Sequence, residues 1–532
     1  LDTFTVRLNS EPTSSVSVSL ASGAQLTLSG ATLIANTLTF TTANWMTPQS
    51  VTVSAVDDVV AEGVHVGKIG FSASGGGYTG VVIPELSVTI TDNDTAGATV
   101  SAGTLATTEA GGTDTFTFRL NTQPTANVTV ILTSTDTGES QVSPSSLTFT
   151  PGDATTNQTI TVRGIDDALD DGDQAHSIVF TLVSADPAYN NLAVTAKPVV
   201  NADDDTAGYS ISTISNNLNE SGTNGFFTVR LTSQPTAAVS LGFSVSDSTE
   251  ASVSTASLTF DSSNWDEPQS VTVYPVDDSL NDGDIASWVV IAPDGATADT
   301  QYNGLAPAGN VAIVTVDNDV AAVVTSTPAV VTEENGLQVT FTVQLLSEPT
   351  ADVTIPLSSS VTAEATVSPA SLTFTPSNWA DPQTVTISPV DDFIVDGPQS
   401  YVIELGALVT GDVTGYNGID PDDVSGINND DDVAGFTLTK NTLSTGEDGT
   451  ADSFQVVLTS QPTAPVSITI TGLDATEGSL SAAVLTFNPS GGSIWSTAQT
   501  VTLTGVDDFE DDGNQGFTLT LTPGGGDGTY AA

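Results

Sequence analysis

The chain has 532 residues, with 64 acidic side chains against 7 basic ones, a net charge of −57 and no cysteine. This composition excludes disulfides and cysteine-based sites, and it makes nucleic acid and anionic lipid surfaces poor partners, because like charges repel. Hydrophobic residues make up 38% of the chain, enough for several ordinary cores. No apolar run has the length of a membrane span and residues 1–4 do not read as a signal peptide, so we expect no membrane insertion.

A repeat of about 110 residues runs along the whole chain. Its clearest marker is a Val-Asp-Asp or Ile-Asp-Asp phrase, whose acids are Asp57 and Asp58, Asp166 and Asp167, Asp277 and Asp278, Asp391 and Asp392, and Asp507 and Asp508. The predicted repeats cover residues 1–97, 98–208, 209–321, 322–435 and 436–532. We expect the first to lack its opening strand and the last its closing strand, as in a window cut from a longer array. Short Thr-Ala-Gly or Val-Ala-Gly joints between repeats predict that neighbours touch.

Within each repeat, short runs rich in Thr, Val, Ile and Phe alternate with Gly, Pro, Asn and Asp, and no helical period is sustained. In repeat 2 the predicted strands are 98–100, 115–120, 128–132, 146–150, 158–162, 177–182 and 192–200. Seven short strands in about 100 residues predict an antiparallel β-sandwich. The chain as a whole is therefore predicted to be all-β, a tandem array of sandwiches.

The recurring acids fall in alternate loops, so strands that reverse direction bring them to one pole of each sandwich. In repeat 2 these acids are Glu109, Glu139, Asp166, Asp167, Asp171, Asp203, Asp204 and Asp205. The matching sets are Glu220, Glu250, Asp277, Asp278, Asp282, Asp317 and Asp319 in repeat 3, and Glu334, Glu364, Asp391, Asp392, Asp396, Asp430, Asp431 and Asp432 in repeat 4. Repeat 5 keeps Glu447, Glu477, Asp507, Asp508 and Asp512, and repeat 1 keeps Asp57, Asp58, Glu62, Asp92 and Asp94. In repeat 1, Gly30 is expected to replace a glutamate, so we expect fewer ions there.

So many carboxylates at one pole need a counter-charge. Two like charges about 5 Å apart repel by roughly 3 kcal/mol at an effective dielectric near 20, and several such pairs rival the stability of a domain. Lys and Arg are too few to neutralise them. A hard divalent cation that takes 6–8 oxygen ligands suits such a cluster, and Ca²⁺ tolerates irregular carboxylate geometry better than Mg²⁺. The sequence therefore predicts several Ca²⁺ ions per complete repeat.

The repeat resembles the Calx-beta domain. The features shared are the Asp-Asp pair, an acid five positions after its first member, a closing Asp-Asp-Asp or Asp-Asn-Asp, and a Glu after the first strand, in five copies. The resemblance implies an immunoglobulin-like sandwich that holds several Ca²⁺ ions at one end. It also associates the chain with bacterial surface proteins.

Several alternatives stay open. Trp45, Trp265 and Trp379 could contact a carbohydrate or protein ligand, although packing roles for them are more common. Paired carboxylates also occur in glycosidases, but five copies of the pair argue against an enzyme. His65 and His176 have no counterpart in other repeats, so we expect surface or edge-strand positions rather than catalysis.

The leading hypothesis is an elongated, Ca²⁺-stiffened rod, stalk or fibre with a structural or adhesive role outside the cell or at its surface. Each acidic pole is expected to face the next repeat. Possible partners are calcium ions, neighbouring repeats, other copies of the chain and a surface ligand. The second hypothesis is a carbohydrate- or protein-binding array.

Overall fold

The structure is a computed structural model that describes residues 1–508, 510 and 513–531. These residues form strands, turns and irregular segments, and among them there is no helix. The strands build sheets that follow one another along the chain in pairs. The predicted all-β tandem array of sandwiches is confirmed.

Repeats 1 and 2 contain the following strands. Repeat 1 has β1 (Asp2–Val6), β2 (Val16–Ser22), β3 (Leu26–Ser29), β4 (Thr37–Phe40), β5 (Gln49–Ala55), β6 (His65–Ser74) and β7 (Leu86–Ile90). Repeat 2 has β8 (Ala98–Val100), β9 (Leu105–Thr108), β10 (Thr113–Leu120), β11 (Val128–Ser134), β12 (Ser140–Ser143), β13 (Ser146–Phe149), β14 (Gln158–Gly164), β15 (Gln174–Ser184) and β16 (Lys197–Ala202).

Repeats 3 to 5 follow the same plan. Repeat 3 has β17 (Tyr209–Ile211), β18 (Leu218–Asn219), β19 (Gly225–Leu231), β20 (Val239–Val245), β21 (Ala251–Val253), β22 (Ser257–Phe260), β23 (Gln269–Pro275), β24 (Ile285–Pro293) and β25 (Val311–Val316). Repeat 4 has β26 (Val323–Thr325), β27 (Ala329–Glu333), β28 (Val339–Leu345), β29 (Val353–Ser359), β30 (Ala365–Ser368), β31 (Ser371–Phe374), β32 (Gln383–Pro389), β33 (Gln399–Leu405), β34 (Val409–Thr410) and β35 (Val424–Asn429). Repeat 5 has β36 (Phe436–Leu438), β37 (Ala451–Leu458), β38 (Val466–Thr471), β39 (Gly478–Leu480), β40 (Val484–Phe487), β41 (Gln499–Gly505) and β42 (Thr520–Gly525).

Alternating burial along the strands builds the cores. In β11 the side chains of Val128, Val130 and Leu132 are buried, whereas Ile131 and Thr133 face solvent. Because successive side chains point to opposite faces of a sheet, each strand gives one face to the interior. Five separate hydrophobic clusters result, each built from buried residues of one repeat.

Repeat 2 shows the sheet topology in full. One sheet has the order β12-β14-β10-β8 and the other β13-β11-β15-β16-β9. All seven predicted strands are present, although the last begins at Lys197 rather than at residue 192, and β9 and β12 are additional.

The expectation of purely antiparallel pairing is wrong for β9. This strand pairs in parallel with β16, with Leu105 opposite Val199 and Thr108 opposite Ala202. The chain passes from one sheet to the other between β8 and β9, so β9 runs in the same direction as β16. Both strands therefore end at the same pole, and β18 with β25 and β27 with β35 repeat the arrangement.

For the two histidines the edge-strand alternative is wrong, whereas both side chains are partly exposed, which agrees with the surface alternative. His65 opens β6 and His176 lies in β15, and both strands are interior members of their sheets rather than edges.

None of the described segments forms the long apolar helix that a bilayer-spanning segment requires.

Candidate metal centre

The acidic loops of repeat 2 lie together at one end of the sandwich. Glu109 follows β9, Glu139 precedes β12, Asp166 and Asp167 follow β14, and Asp203 follows β16. Three groups of carboxylates have oxygens within 4.8 Å of one another: Glu109, Asp203 and Asp205; Glu109, Glu139 and Asp167; and Asp166, Asp204 and Asp205. Glu109 belongs to two of these groups, so this buried carboxylate lies between the Asp203–Asp205 acids on one side and Glu139 with Asp167 on the other.

Repeats 3 and 4 bring the corresponding acids together. The groups there are Glu220, Asp317 and Asp319, and Glu334, Asp391 and Asp431. Burial and then the charges of Asp278 and Asp317 raise the pKa of Asp282, so that acid also faces the cluster. Glu364 is buried and its Oε2 accepts a hydrogen bond from Asn428 Nδ2 at 3.3 Å.

The second acid of each Asp-Asp pair shapes its own loop. Its Oδ1 accepts a hydrogen bond from the backbone N–H two residues later, at 2.7–2.9 Å, in all five repeats: Asp58, Asp167, Asp278, Asp392 and Asp508. This is the local turn that aspartate favours after a strand. In repeat 2 this acid, Asp167, also belongs to one of the groups of clustered carboxylates.

The first acid of the closing triplet holds two loops together. In repeat 4, Asp430 Oδ2 accepts hydrogen bonds from the N–H groups of Asp396 and Gly397 at 2.9 and 2.8 Å, and its Oδ1 accepts one from Asp432 N–H at 2.7 Å. Gly397 has φ of +73°, a conformation that glycine adopts without strain. Asp92, Asp203 and Asp317 make equivalent bonds in repeats 1 to 3.

The glutamate after β9 is the most unusual carboxylate of the pole. Glu109 is 1% exposed, and its Oε2 has no hydrogen-bond partner. Burial raises its pKa to about 7, with a further contribution from the charges of Asp203 and Asp167, while a hydrogen bond from Asp204 N–H opposes the shift. In repeat 4, Glu334 is 4% exposed, its Oε2 also lacks a partner, and burial raises its pKa to about 7. A buried oxygen without a donor among other carboxylates fits a cation ligand.

Other acids of the poles are also stabilised in the neutral form. Burial raises the pKa of each of these acids, and the charges of neighbouring carboxylates raise it further. The acids are Asp94, Asp205, Glu220, Glu250, Asp319 and Asp432. For Glu250 the pKa reaches about 7. In the poles of repeats 2 to 4, burial and neighbouring carboxylates therefore disfavour the ionised form, which a bound cation would favour.

Repeat 1 differs from the sequence expectation. Gly30 does not occupy the glutamate position; Gln25 does, because its carbonyl accepts a hydrogen bond from Val56 N–H at 2.9 Å, just as Glu139 accepts one from Ile165 N–H at 3.0 Å. Counting back from the phenylalanine of the next strand leads to Gly30 instead of Gln25, because the loop between β3 and β4 in repeat 1 is longer than the loop between β12 and β13 in repeat 2. The amide Nε2 of Gln25 donates hydrogen bonds to Glu62 Oε2 at 2.9 Å and to Asp58 Oδ2 at 3.3 Å.

Repeat 5 is less complete. Glu447 is exposed, unlike its buried counterparts Glu109, Glu220 and Glu334. Glu477 keeps its backbone position, since its carbonyl accepts a hydrogen bond from Val506 N–H at 3.1 Å. The predicted ligand Asp512 lies outside the described residues.

Two acids next to the predicted ligand Asp171 were missed by the sequence reasoning. Asp170 Oδ2 accepts a hydrogen bond from Ala207 N–H at 2.7 Å, and Asp173 Oδ1 accepts one from Asp203 N–H at 3.3 Å. The acids at positions 170, 171 and 173 were the available signal. The ligand role of every predicted acid stays a prediction.

Each acidic loop touches the next repeat directly. The carbonyl after the Asp-Asp pair accepts a hydrogen bond, at 2.5–2.7 Å, from the N–H before the Pro-Thr turn of the following repeat: Val59 with Gln123, Ala168 with Gln234, Ser279 with Glu348, and Phe393 with Gln461. The contact recurs at all four junctions. The acidic pole and the next repeat therefore share one backbone contact.

The Pro-Thr turn at each of these junctions is held to the rest of its own repeat by further hydrogen bonds. In repeat 2, the Tyr189 hydroxyl donates to Thr122 O at 2.8 Å, and Asp186 Oδ2 accepts from Thr125 N–H at 2.7 Å. Tyr302, Tyr416 and Tyr530 make the matching bond in the later repeats. The acidic loop of one repeat is therefore hydrogen-bonded to a turn that is itself anchored to the body of the next repeat.

Two junctions carry additional hydrogen bonds from side chains. Asp170 binds the joint residue Ala207, whose side chain packs against the core of repeat 3, and Asp170 O accepts a hydrogen bond from Gln301 Nε2 at 2.8 Å. At the next junction, Asn281 Nδ2 donates to Thr414 O at 2.9 Å. Ala61 and Val395 occupy the equivalent positions in repeats 1 and 4 and lack such polar groups.

The recurring tryptophans pack inside the array. Trp45, Trp265, Trp379 and Trp495 are partly buried against the cores of their own repeats. The Trp495 ring also lies 5.6 Å from the Phe393 ring of the preceding repeat. These contacts favour the packing interpretation of the tryptophans over a ligand platform.

Cation binding to these poles is expected to release protons. Glu109, Glu250 and Glu334 have a pKa of about 7 without an ion, so each is partly protonated near neutral pH, and a bound cation favours the ionised form. The affinity for Ca²⁺ should therefore fall as the pH is lowered from 8 to 6. Calorimetric titrations at pH 7, in two buffers of different ionisation enthalpy, should give different heats. Equal heats would show that no proton leaves.

Comparisons with known proteins give little further information. No family model matches the chain, and no curated protein matches it. Among solved structures, CBD12 from CALX1.2 shares 15% identity, with a TM-score of 0.20, over 38% of this chain and 80% of that chain. The calcium binding domain CBD12 of CALX1.1 shares 16%, with a TM-score of 0.22, over 38% and 80%. Domains 4–9 of the surface layer protein SbsC share 12%, with a TM-score of 0.20, over 96% and 82%. Similarities this weak carry no argument about ligands.

Proposed function

We propose that this chain is a calcium-binding, non-catalytic repeat protein whose ions stiffen the junctions of an extended array. The observation that carries the proposal is the buried glutamate of each complete pole. Glu109 and Glu334 each point an unpartnered oxygen at other carboxylates, and the chain has only 7 basic residues to compensate them. A bound cation supplies the missing partner.

The donor set favours Ca²⁺ in repeats 2 to 4. The groups found there consist of carboxylates, with backbone carbonyls in the same loops, and hard cations prefer such oxygen ligands. Ca²⁺ accepts more ligands, in less regular geometry, than Mg²⁺ does. In repeat 2, Glu109, Asp203 and Asp205 would hold one ion, and Glu139 with Asp167 would contribute to another.

The junction contacts explain how an ion would affect the shape of the array. Asp167 is a neighbour of Ala168, whose carbonyl accepts the hydrogen bond from repeat 3. An ion that fixes the Asp166–Asp167 loop therefore fixes the point where repeat 3 is attached. Without the ion, repulsion between the carboxylates favours loop conformations that weaken this contact.

We propose an extracellular or cell-surface location with a structural or adhesive role. An array with several Ca²⁺ sites in each complete repeat needs a plentiful supply of the ion, and extracellular modules bind Ca²⁺ with dissociation constants of about 10⁻⁴–10⁻³ M. The acidic surface also disfavours binding to nucleic acids and anionic lipids. Other copies of the chain or a surface glycan or protein are the partners that an adhesive role would require.

Small-angle scattering of the whole chain tests the mechanical part of the proposal. With Ca²⁺ we expect a larger maximum dimension and a narrower distribution of inter-repeat distances than in chelator, because the ions hold the acidic loops against their neighbours. Mg²⁺ at the same ionic strength is the control for simple charge screening. Identical distance distributions with and without Ca²⁺ would mean that the ion does not set the shape.

A further inference from the structure

We propose that repeat 1 carries a metal site of a different class, in which His65 and Glu62 bind a zinc-type divalent cation. This site lies at the acidic pole and rests on the proposed function, which assigns Ca²⁺ to the same pole of repeats 2 to 4. Its chemistry is distinct because it offers an imidazole nitrogen.

The imidazole of His65 is oriented as in a metal ligand. Its Nδ1 lies 2.9 Å from the carbonyl oxygen of Gly63, which requires Nδ1 to be the protonated nitrogen. The lone pair of neutral imidazole is then on Nε2, and this atom is inaccessible to solvent and has no hydrogen-bond partner. A ring nitrogen fixed by a backbone carbonyl, with its other nitrogen facing carboxylates, is the usual arrangement of a histidine ligand.

The spacing of the two donors suits zinc. His65 Nε2 lies 3.4 Å from Glu62 Oε2. Two ligand atoms that each bind Zn²⁺ at about 2.0–2.1 Å, in tetrahedral geometry, are about 3.3 Å apart. A charge-assisted hydrogen bond between the same groups would be shorter, at about 2.7–2.9 Å. The observed separation matches that of two ligands of one such ion.

The surroundings bring further carboxylates near and hold Glu62 in place. His65 and Glu62 line a cavity of about 90 Å³ together with Asp58 and Asp94. Gln25 Nε2 donates hydrogen bonds to Glu62 and Asp58, so the amide orients both carboxylates. Such outer contacts position metal ligands in other proteins.

Two differences in residue type distinguish this site from the proposed Ca²⁺ sites of repeats 2 to 4. Repeat 1 has Gln25 where repeats 2 to 4 have a glutamate, which removes one negative charge. At the position of His65, the other repeats have Gln174, Ile285, Gln399 and Gln515, none of which offers an imidazole. Fewer carboxylates and an added nitrogen shift the preference from Ca²⁺ towards zinc-type ions, because imidazole suits Zn²⁺ and Ca²⁺ favours oxygen.

The test is a Zn²⁺ titration of the whole chain with Ca²⁺ in excess, compared with His65→Gln. Glutamine is the natural residue at this position in three other repeats, so the variant should fold and keep its Ca²⁺ binding. We expect one Zn²⁺ per wild-type chain, bound at least tenfold more tightly than any Zn²⁺ that the variant binds.

Imidazole NMR signals give a second readout on the unmodified chain. His176 is the internal reference, because its Nε2 lies 2.6 Å from Ser140 Oγ and is already engaged. We expect Zn²⁺ to shift the His65 signals and leave those of His176 in place. Equal Zn²⁺ binding by wild type and variant, or a shift of His176 alone, would overturn the proposal.

Discussion

Removal of calcium is expected to lower the melting temperature of the chain by about 10 °C or more. An ion bound only by the folded state, at a concentration 100 times its dissociation constant, stabilises that state by about 2.7 kcal/mol per site. One kcal/mol shifts the melting temperature of a domain of 60–100 residues by about 4–8 °C. The acidic groups of repeats 2 to 4 should respond in this way.

Scanning calorimetry measures this effect directly. The chain is scanned in Ca²⁺, in chelator, and in chelator followed by excess Ca²⁺, which should restore the first result. A chelator already saturated with Ca²⁺ controls for effects of the chelator itself. A melting temperature that does not change with chelation would contradict metal binding at the poles.

Replacing both acids of one pair should have opposite effects with and without Ca²⁺. In Asp277→Asn with Asp278→Asn, the ion-dependent stabilisation of repeat 3 should be lost, about 2 to 3 kcal/mol if one site is removed. Without Ca²⁺ the variant should be as stable as the wild type or more so, because two charges that repel Asp282 and Asp319 are gone. Asparagine keeps the Oδ1 acceptor that Leu280 N–H uses at 2.7 Å, so the loop can form.

A second variant separates this effect from a general loss of charge. Glu85→Gln with Glu404→Gln also removes two carboxylates, at positions away from the acidic loops. Glu85 contacts Lys68 at 3.1 Å and Glu404 accepts a hydrogen bond from Ser358 at 2.9 Å, both at exposed positions. This control should keep the full number of bound Ca²⁺ ions. An unchanged number in the Asp277 and Asp278 variant would show that these residues are not ligands.

Much of the fold follows from local sequence. Alternation such as Val128, Val130 and Leu132 predicts strands with one buried face, and the turn residues between them predict reversals of the chain. Counting these reversals also predicts that Glu109 and Asp203 meet, which the structure shows. The hydrophobic period locates the strands and the turn residues locate the loops. If each strand reverses the direction of the one before it, alternate loops lie at the same end of the sandwich.

Other features depend on contacts that no period indicates. The parallel strand β9 was missed because Leu105–Thr108 is a short segment whose partner, β16, comes about 90 residues later. Lys197 is buried, with Nζ donating to Ser101 O, Ala102 O and Gly103 O, although the same position holds valine in repeats 3 and 4. A lysine in a strand would ordinarily be expected at the surface.

The candidate site was also only partly predictable from the sequence. The spacing of the acids showed which residues cluster, but it did not show which of them bind backbone N–H groups and which keep an oxygen without a partner. Asp430 holds two loops together through backbone N–H groups, whereas Glu334 leaves an oxygen unpartnered. The replacement of a carboxylate by Gln25 was hidden by the longer loop that follows β3.

Equilibrium dialysis of the whole chain against Ca²⁺, in physiological salt with excess Mg²⁺, tests the central claim most directly. The bound metal is counted by elemental analysis of the protein compartment. We expect several Ca²⁺ ions for each of repeats 2, 3 and 4, retained against Mg²⁺ because the clustered carboxylates favour the larger ion. Fewer than one Ca²⁺ per repeat, or complete displacement by Mg²⁺, would contradict the account.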